Sequence, residues 1–236
     1  MGLNLKLDQL SIVIPVYNEE KNIKKLWIKI KSHLNLKKYE IIYVDDDSED
    51  NSFSILKEIN KSDKKVKYII RKKKPRDLSK SCILGFEKSK YKNILVMDGD
   101  LQHDPKYISK LIKKYNSTSS DIIVGCRDFY SKKNTGLNGI RTLASIILNL
   151  FINILLGNKT SDPMSGFFLF KKKILKKRKK NFYKKGYKIL ADIIYSNHNY
   201  IKISDLKINF KKRLYGKSKI SIKILFFLIF FIFKRI

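Results

Sequence analysis

The chain has 236 residues, 43% of them hydrophobic, enough for one sizeable core in a single domain with an appended tail. Its formal net charge of +31 is carried almost entirely by Lys. A nucleic-acid surface or an anionic membrane surface would suit that charge, and so would a coding bias toward Lys, Ile and Asn that supplies solvated Lys with no polyanion partner. Cys82 and Cys126 stand far apart without a Cys-x-x-Cys pair, which argues against a zinc site and a disulfide framework and fits a reducing compartment.

The first ten residues, MGLNLKLDQL, hold no apolar signal core, so the catalytic part is expected to stay in the cytoplasm, and no apolar run reaches the ~18 residues that a spanning helix needs. Residues 11–16 (SIVIPV) are apolar and rich in β-branched side chains, which predicts a buried first strand with Pro15 at its exit. Asn18 is expected to cap a helix with Glu19 and Glu20 in its first turn, because Ile23, Leu26, Trp27, Ile30 and Leu34 follow at helical spacing. Residues 39–44 (YEIIYV) repeat the strand pattern and run into Asp45, Asp46 and Asp47. Three adjacent carboxylates repel one another, so a cation or a hydrogen-bonding ligand is expected there. Phe53, Leu56 and Ile59 then recur with helical period, 66–70 reads as a third strand and 78–88 as a third helix.

The strongest local signal is residues 93–105 (NILVMDGDLQHDP). Residues 94–97 read as a strand buried on both faces, which places Asp98 and Asp100 at its carboxyl end, where open α/β sheets bind ligands. Two aspartates two apart, followed by Gln102, offer oxygens to a hard divalent cation that would in turn hold a nucleotide diphosphate. A solvated acidic turn is the plain alternative, and the position between strand and helix weighs against it. His103 reads as a helix-start residue rather than a ligand. Asp104 is expected to cap, and Pro105 to start, a helix with Tyr107, Ile108, Leu111, Ile112 and Tyr115 on its apolar face. Residues 121–125 form a fifth strand leading to Arg127, and the alternation of strands and helices implies a parallel sheet with right-handed crossovers.

Beyond Gly139 the period changes. Residues 143–156 are apolar nearly all round, which fits a buried helix or one lying in a membrane interface. Residues 166–170 are strand-like, 186–196 helical, and 200–210 alternate as a half-exposed strand does. The tail carries ten apolar residues, 224–233, between Lys223 and the pair Lys234 and Arg235.

Seven blocks appear in one order: IPVYNEEKNI (14–23), YEIIYVDDDSED (39–50), LVMDGDLQHDP (95–105), DIIVGCRDF (121–129), DPMSGFFLFKK (162–172), GYKILADII (186–194) and FKKRLYGKSK (210–219). Together they resemble the family-2 glycosyltransferases of the GT-A fold, and within them the dolichyl-phosphate (polyprenyl-phosphate) mannosyltransferases. The resemblance implies a Rossmann-like, mostly parallel sheet flanked by helices over residues 8–219, with C-terminal membrane-interface helices and a short apolar tail at 220–236. It implies transfer of a hexose, mannose from GDP-mannose, to a polyprenyl phosphate with inversion, dependent on Mg or Mn, at the cytoplasmic face of a membrane. Pro15, Tyr17 and Glu19 would line the base and ribose, with Val44 and Asp46 completing the pocket. Asp98, Gly99 and Asp100 match the metal motif, with Asp100 and Gln102 as direct ligands. Arg127, Arg213 and Lys219 match positions that meet the donor diphosphate or the lipid phosphate, and Ser165 and Gly166 match the Ser-Gly turn of the acceptor half. A second copy of the chain or a separate membrane subunit remains open as a further partner; nucleic acid is not implied.

Asp77 stands where relatives usually have Gly, Asp192 replaces a usual Glu, and Tyr215 lies where close relatives carry a second Arg. A lipid phosphate is already ionised, because phosphate monoesters have a second pKa near ~6, so no strong general base is needed, and no Ser-His-Asp set is present. The rival within the family is a transferase using another nucleotide-sugar, such as UDP-glucose, or a sugar hydroxyl acceptor; the latter would need a carboxylate base, for which Asp192 is the candidate. The GKS at 216–218 lacks the first Gly of a P-loop, since Lys211 stands there.

Overall fold

A computed structural model describes residues 6–127, 149–150, 152–154, 156–176, 189–197 and 199–211. Seven strands form one sheet: β1 (Gln9–Val16), β2 (Lys38–Asp45), β3 (Val66–Ile70), β4 (Asn93–Val96), β5 (Ile122–Arg127), β6 (Phe168–Lys171) and β7 (Ile203–Ile208), in the spatial order β3-β2-β1-β4-β6-β5-β7. The helices are α1 (Glu20–His33), α2 (Ser52–Ser62), α3 (Leu78–Lys88), α4 (Tyr107–Ser117), a short α5 (Lys173–Lys176) and α6 (Ile189–Ser196). All strand pairs are parallel except those of β6, which runs antiparallel to both β4 and β5. The sequence pattern could not show that reversal, because FFLF is apolar on both faces and would serve a buried strand of either direction.

Strand alternation sorts the core into two layers. Leu10, Ile12 and Ile14 of β1 and Leu95 of β4 face Ile23, Leu26 and Ile30 of α1, Leu56 of α2 and Ile108 and Leu111 of α4. Val13, Ile94 and Val96 face the other way, toward Cys82 and Phe86 of α3 and Ile189, Leu190, Ile193 and Ile194 of α6. Helices therefore cover both faces of the sheet, and the central strands are mostly apolar for that reason.

Two expected details change. Asn18 does not cap α1: it sits at φ 53, donates its N–H to Ser48 Oγ (2.8 Å) and accepts at Oδ1 from Glu49 N–H (2.8 Å), so its tolerance of the left-handed region and its side chain serve the loop pairing instead. Phe53 turns outward, 44% exposed, with its ring edge against Tyr68, because α2 meets the sheet through Leu56 and Ile59.

Of the expected helix at 143–156, residues 149–150 and 152–154 are described and helical. Ile152 and Leu156 are buried, whereas Leu150 and Ile154 are 61% and 63% exposed, so this stretch is two-sided rather than buried all round. No helix among the described residues is long and apolar enough to cross a membrane. The tail 220–236, Arg213, Tyr215 and Lys219 lie outside the described residues.

The topology gathers one edge of the sheet. Because β1, β2, β4, β5 and β7 all run the same way, their carboxyl ends deliver Tyr17, Asp45 to Asp47, Asp98, Arg127 and Asn209 to that edge. The reversed β6 brings its amino-terminal approach, Ser165 and Gly166, to the same place.

Candidate active site

Asp98 follows β4 after Met97, and Gly166 lies against it so closely that a Cβ on Gly166 would fall 2.5 and 2.6 Å from the two Asp98 carboxylate oxygens. Only a residue without a side chain allows that approach. Gly99 is similarly confined, since a Cβ there would meet Val16 at 2.8 Å, with Pro15 O and the Glu19 stem just beyond. The first loop and the Asp-Gly-Asp turn are thus in contact through Gly99, and Asp98 meets the Ser165–Gly166 turn on its other side. Ser165 holds that turn by donating its hydroxyl to Gly125 O (2.6 Å) and accepting from Phe167 N–H (3.1 Å).

Asp100 is buried and accepts at Oδ1 from Gln102 N–H (3.1 Å), across Leu101 at φ 63. Gln102 donates its side-chain Nε2 to Lys211 O (3.3 Å). His103 does not start the helix, which begins at Tyr107. Its Nδ1 accepts from Asp98 N–H (3.2 Å), its ring stacks on Phe167 (5.2 Å, 14°), and Phe210 meets it edge-on (4.8 Å, 84°). Asp104 does cap the following turn, through Lys106 N–H (3.2 Å), although regular helix begins only at Tyr107. Burial would raise the Asp104 carboxyl, but the Lys211 ammonium at 2.8 Å and the Lys106 N–H hold it below the usual range.

Among the described residues no three acidic, His or Cys side chains converge to chelate a cation by themselves. Asp98, Asp100 and Gln102 supply hard oxygen donors within one turn, and this fits a cation that completes its shell with substrate phosphate and water.

Arg127 does not stand out as a lone cation. Its guanidinium forms a bidentate pair with the fully buried Asp162 (Nε–Oδ2 2.8 Å, Nη2–Oδ1 3.0 Å) and lies over the Phe210 ring at 5.5 Å. Burial opposes its charge, yet the Asp162 carboxylate and, more weakly, Asp98 raise its pKa above the ordinary value. The planar fork inferred from Arg in a Lys-rich chain is present, but it meets a carboxylate of the chain itself.

In the expected nucleotide pocket, Pro15 is buried and Tyr17 half-buried, with the Arg76 guanidinium 4.3 Å above the Tyr17 ring. Glu19 accepts from Asn22 Nδ2 (2.6 Å). Val44 is a correction: its side chain is fully buried in the core and packs toward Gly85 of α3, so it lines no pocket. Asp46 is engaged by Arg71 (2.5 Å) and by Asp77 N–H (2.6 Å), and burial raises its carboxyl above the usual range against both partners. Asp77 also caps α3, accepting from Lys80 N–H (3.0 Å), which gives this departure from Gly a structural role.

The sequence reading missed Arg71, His103 as an acceptor, and Asp162. For Arg71 a signal was available, an arginine at the end of a strand in a chain rich in Lys. Asp162 stands at the head of the DPMSG block, where only its partner's location in space reveals its task.

Comparison with known proteins decides the family. The model of "Glycosyl transferase family 2" matches residues 11–179. The chain belongs to glycosyl transferase family 2. Among curated proteins it is 34% identical over 220 residues to the dolichol-phosphate mannosyltransferase of Pyrococcus furiosus, covering 92% of this chain and 61% of that one. The corresponding Saccharomyces cerevisiae protein is 29% identical over 225 residues, covering 91% and 82%. The chain therefore spans about three fifths of the length of the Pyrococcus relative. Among solved structures, glucosyl-3-phosphoglycerate synthase from Mycobacterium tuberculosis, crystallised with Mn2+, UDP and glucosyl-3-phosphoglycerate, superposes with a TM-score of 0.68 at 14% identity, covering 94% of this chain and 76% of that one. The family-2 fold expected from the seven blocks is thereby borne out, with β6 as the reversed strand of a mostly parallel sheet.

Proposed function

We propose that this family-2 chain transfers mannose from GDP-mannose to a polyprenyl phosphate, with inversion and with a divalent cation, at the cytoplasmic face of a membrane. The observation that carries the reading is the 34% identity to a dolichol-phosphate mannosyltransferase over 92% of the chain. Residues 8–219 would form the catalytic unit and 220–236 an apolar anchor. Asp100 and Gln102, in the motif that Asp98 opens, would hold Mg2+ or Mn2+, which when bound supplies charge stabilisation to the departing diphosphate. The glycines at 99 and 166 let neighbouring groups close against that turn, and the Arg127–Asp162 pair fixes a cationic group near Asp98. Arg213 and Lys219 would meet phosphate.

An ionised phosphate acceptor needs no base, and the residues agree. His103 Nδ1 is already occupied by Asp98 N–H, and Asp192, the candidate base for a hydroxyl acceptor, is only 3% exposed on a helix buried on nearly every side. The test is a donor screen with purified full-length protein, polyprenyl phosphate, Mg2+ or Mn2+, and GDP-mannose, UDP-glucose and other nucleotide-sugars. GDP-mannose is expected to give the mannosylated lipid phosphate. Transfer from another donor alone would overturn the sugar, and transfer only to sugar hydroxyls would overturn the acceptor.

A further inference from the structure

Each residue of the segment leaving β7 touches the stretch that follows the Asp-Gly-Asp turn or the helix after it. Asn209 N–H donates to the Tyr107 hydroxyl (3.3 Å) at the start of α4. Phe210 is wedged between His103, edge-on at 4.8 Å, and the Arg127 guanidinium at 5.5 Å. Lys211 binds Gln102 twice through its main chain, donating N–H to Gln102 O (3.0 Å) and accepting from Gln102 Nε2 (3.3 Å), while its ammonium pairs with Asp104 (2.8 Å).

The amide bond has a chemical consequence. A carboxamide carries its nitrogen and oxygen on opposite sides of one carbon, so donating Nε2 to Lys211 O directs Oε1 away from Lys211. Left alone, that amide would rotate and flip freely; here the main chain of a distant segment selects one orientation.

We propose that residues 209–211 are a positioning clamp for the cation-binding turn: Lys211, through its main chain, presents the Gln102 oxygen, and Phe210 locks His103, hence the Asp98 main chain, against Arg127. The clamp rests on the reading of Asp98, Asp100 and Gln102 as a cation site. Because the same segment runs on into Arg213 and Lys219, chain that would meet acceptor phosphate is covalently continuous with the residues that set the cation.

The test is Mn2+ binding by full-length protein with GDP or UDP present, read from the electron paramagnetic resonance signal of free Mn2+, beside nucleotide binding in chelator. Lys211→Pro deletes the N–H donor to Gln102 O, whereas Lys211→Ala keeps the main-chain pair and deletes only the ammonium. Lys211→Pro and Phe210→Ala are expected to weaken Mn2+ about tenfold or more, the scale for residues that orient metal ligands, with metal-free nucleotide affinity retained and Lys211→Ala losing less than about threefold. If Lys211→Pro does not fold, Phe210→Leu carries the test. Wild-type Mn2+ affinity in these variants, or an equal loss in Lys211→Ala, overturns the clamp alone. Absence of Mn2+ binding by the wild-type protein with either nucleotide overturns the cation site and the clamp with it.

Discussion

Two sets of aspartates end parallel strands on either side of β1, and their surroundings set them apart. At the end of β2, the chain answers each carboxylate: Asp45 accepts from Ser48 N–H and Oγ (2.9 and 2.6 Å), Asp46 pairs with Arg71, and Asp47 with Lys74 (2.6 Å). At the end of β4, glycines crowd in: Gly99 follows Asp98, and Gly166 leaves no room for a Cβ beside it. Charge at a strand end is therefore not by itself a cation site. The loop at 71–77 turns one cluster into a structural lock, and the reversed strand β6 brings backbone without a side chain against the other.

The comparison breaks most decisively at Asp100. If the β4 set works through a cation, Asp100→Ala should lower transfer at least about a thousandfold, or about 4 kcal/mol, with the fold intact, and excess chelator should do the same to the wild type. Undiminished turnover in chelator would remove the cation from the reaction. At the β2 set the loss should fall on stability instead. Arg71→Ala leaves Asp46 buried without its cation, which should cost roughly 3 to 5 kcal/mol and lower Tm by about 10 °C. Arg71→Met with Asp46→Leu should recover a large part of that loss, because an apolar pair leaves no unpaired charge. Equal losses in the single and double variants would show that the ion pair is not what closes the loop.

Gly166→Ala sharpens the contrast from the steric side. The added methyl must displace the Asp98 carboxylate or the turn bearing it, since its Cβ would lie 2.5 Å from Oδ2. A displacement of that size should reduce transfer about a hundredfold with little change in Tm. An active Gly166→Ala enzyme would mean that the turn moves freely and that the close approach is incidental.

Much of the fold could be read in the sequence, because periodicity reports burial and burial here alternates by strand and helix. Leu78–Lys88 and Val66–Ile70 match their expected bounds. What periodicity cannot report is direction or partnership. β6 is apolar on both faces whichever way it runs, yet its reversal brings Gly166 to Asp98. Likewise Asp162 and Arg127, 35 residues apart, and Gln102 and Lys211, 109 apart, look like independent site candidates or plain surface residues until the sheet order places them together. Asp98, Asp100 and Gln102 were legible because their chemistry sits within one turn.

The smallest expected effect tests whether carboxylates at the two ends of β2 respond to pH in opposite senses. Glu40, at the start of the strand, accepts from Ser11 Oγ (2.7 Å) and Lys90 N–H (2.6 Å) and pairs with Lys67 (2.8 Å). Burial would raise its carboxyl, and these partners together hold it below the ordinary glutamate range. With the folded value below the unfolded one, the unfolded chain binds more protons between them, so stability rises with pH across that window. The contribution is complete above the ordinary value, about 4.3, and is lost as pH falls through the folded value. Asp46 runs the other way: its folded value is raised, the folded chain holds more protons above about 3.9, and its contribution falls as pH rises through that window. Glu40→Gln should therefore destabilise the protein by about 2 kcal/mol at neutral pH, with the gap to wild type closing as the solution is acidified. Asp46→Asn should change the pH slope with the opposite sign, whatever its absolute cost. Urea unfolding of the three proteins between about pH 3.5 and 7 measures both slopes. A Glu40→Gln gap that stays constant across that range would mean that its carboxylate and the Lys67 charge contribute nothing beyond what the amide also provides.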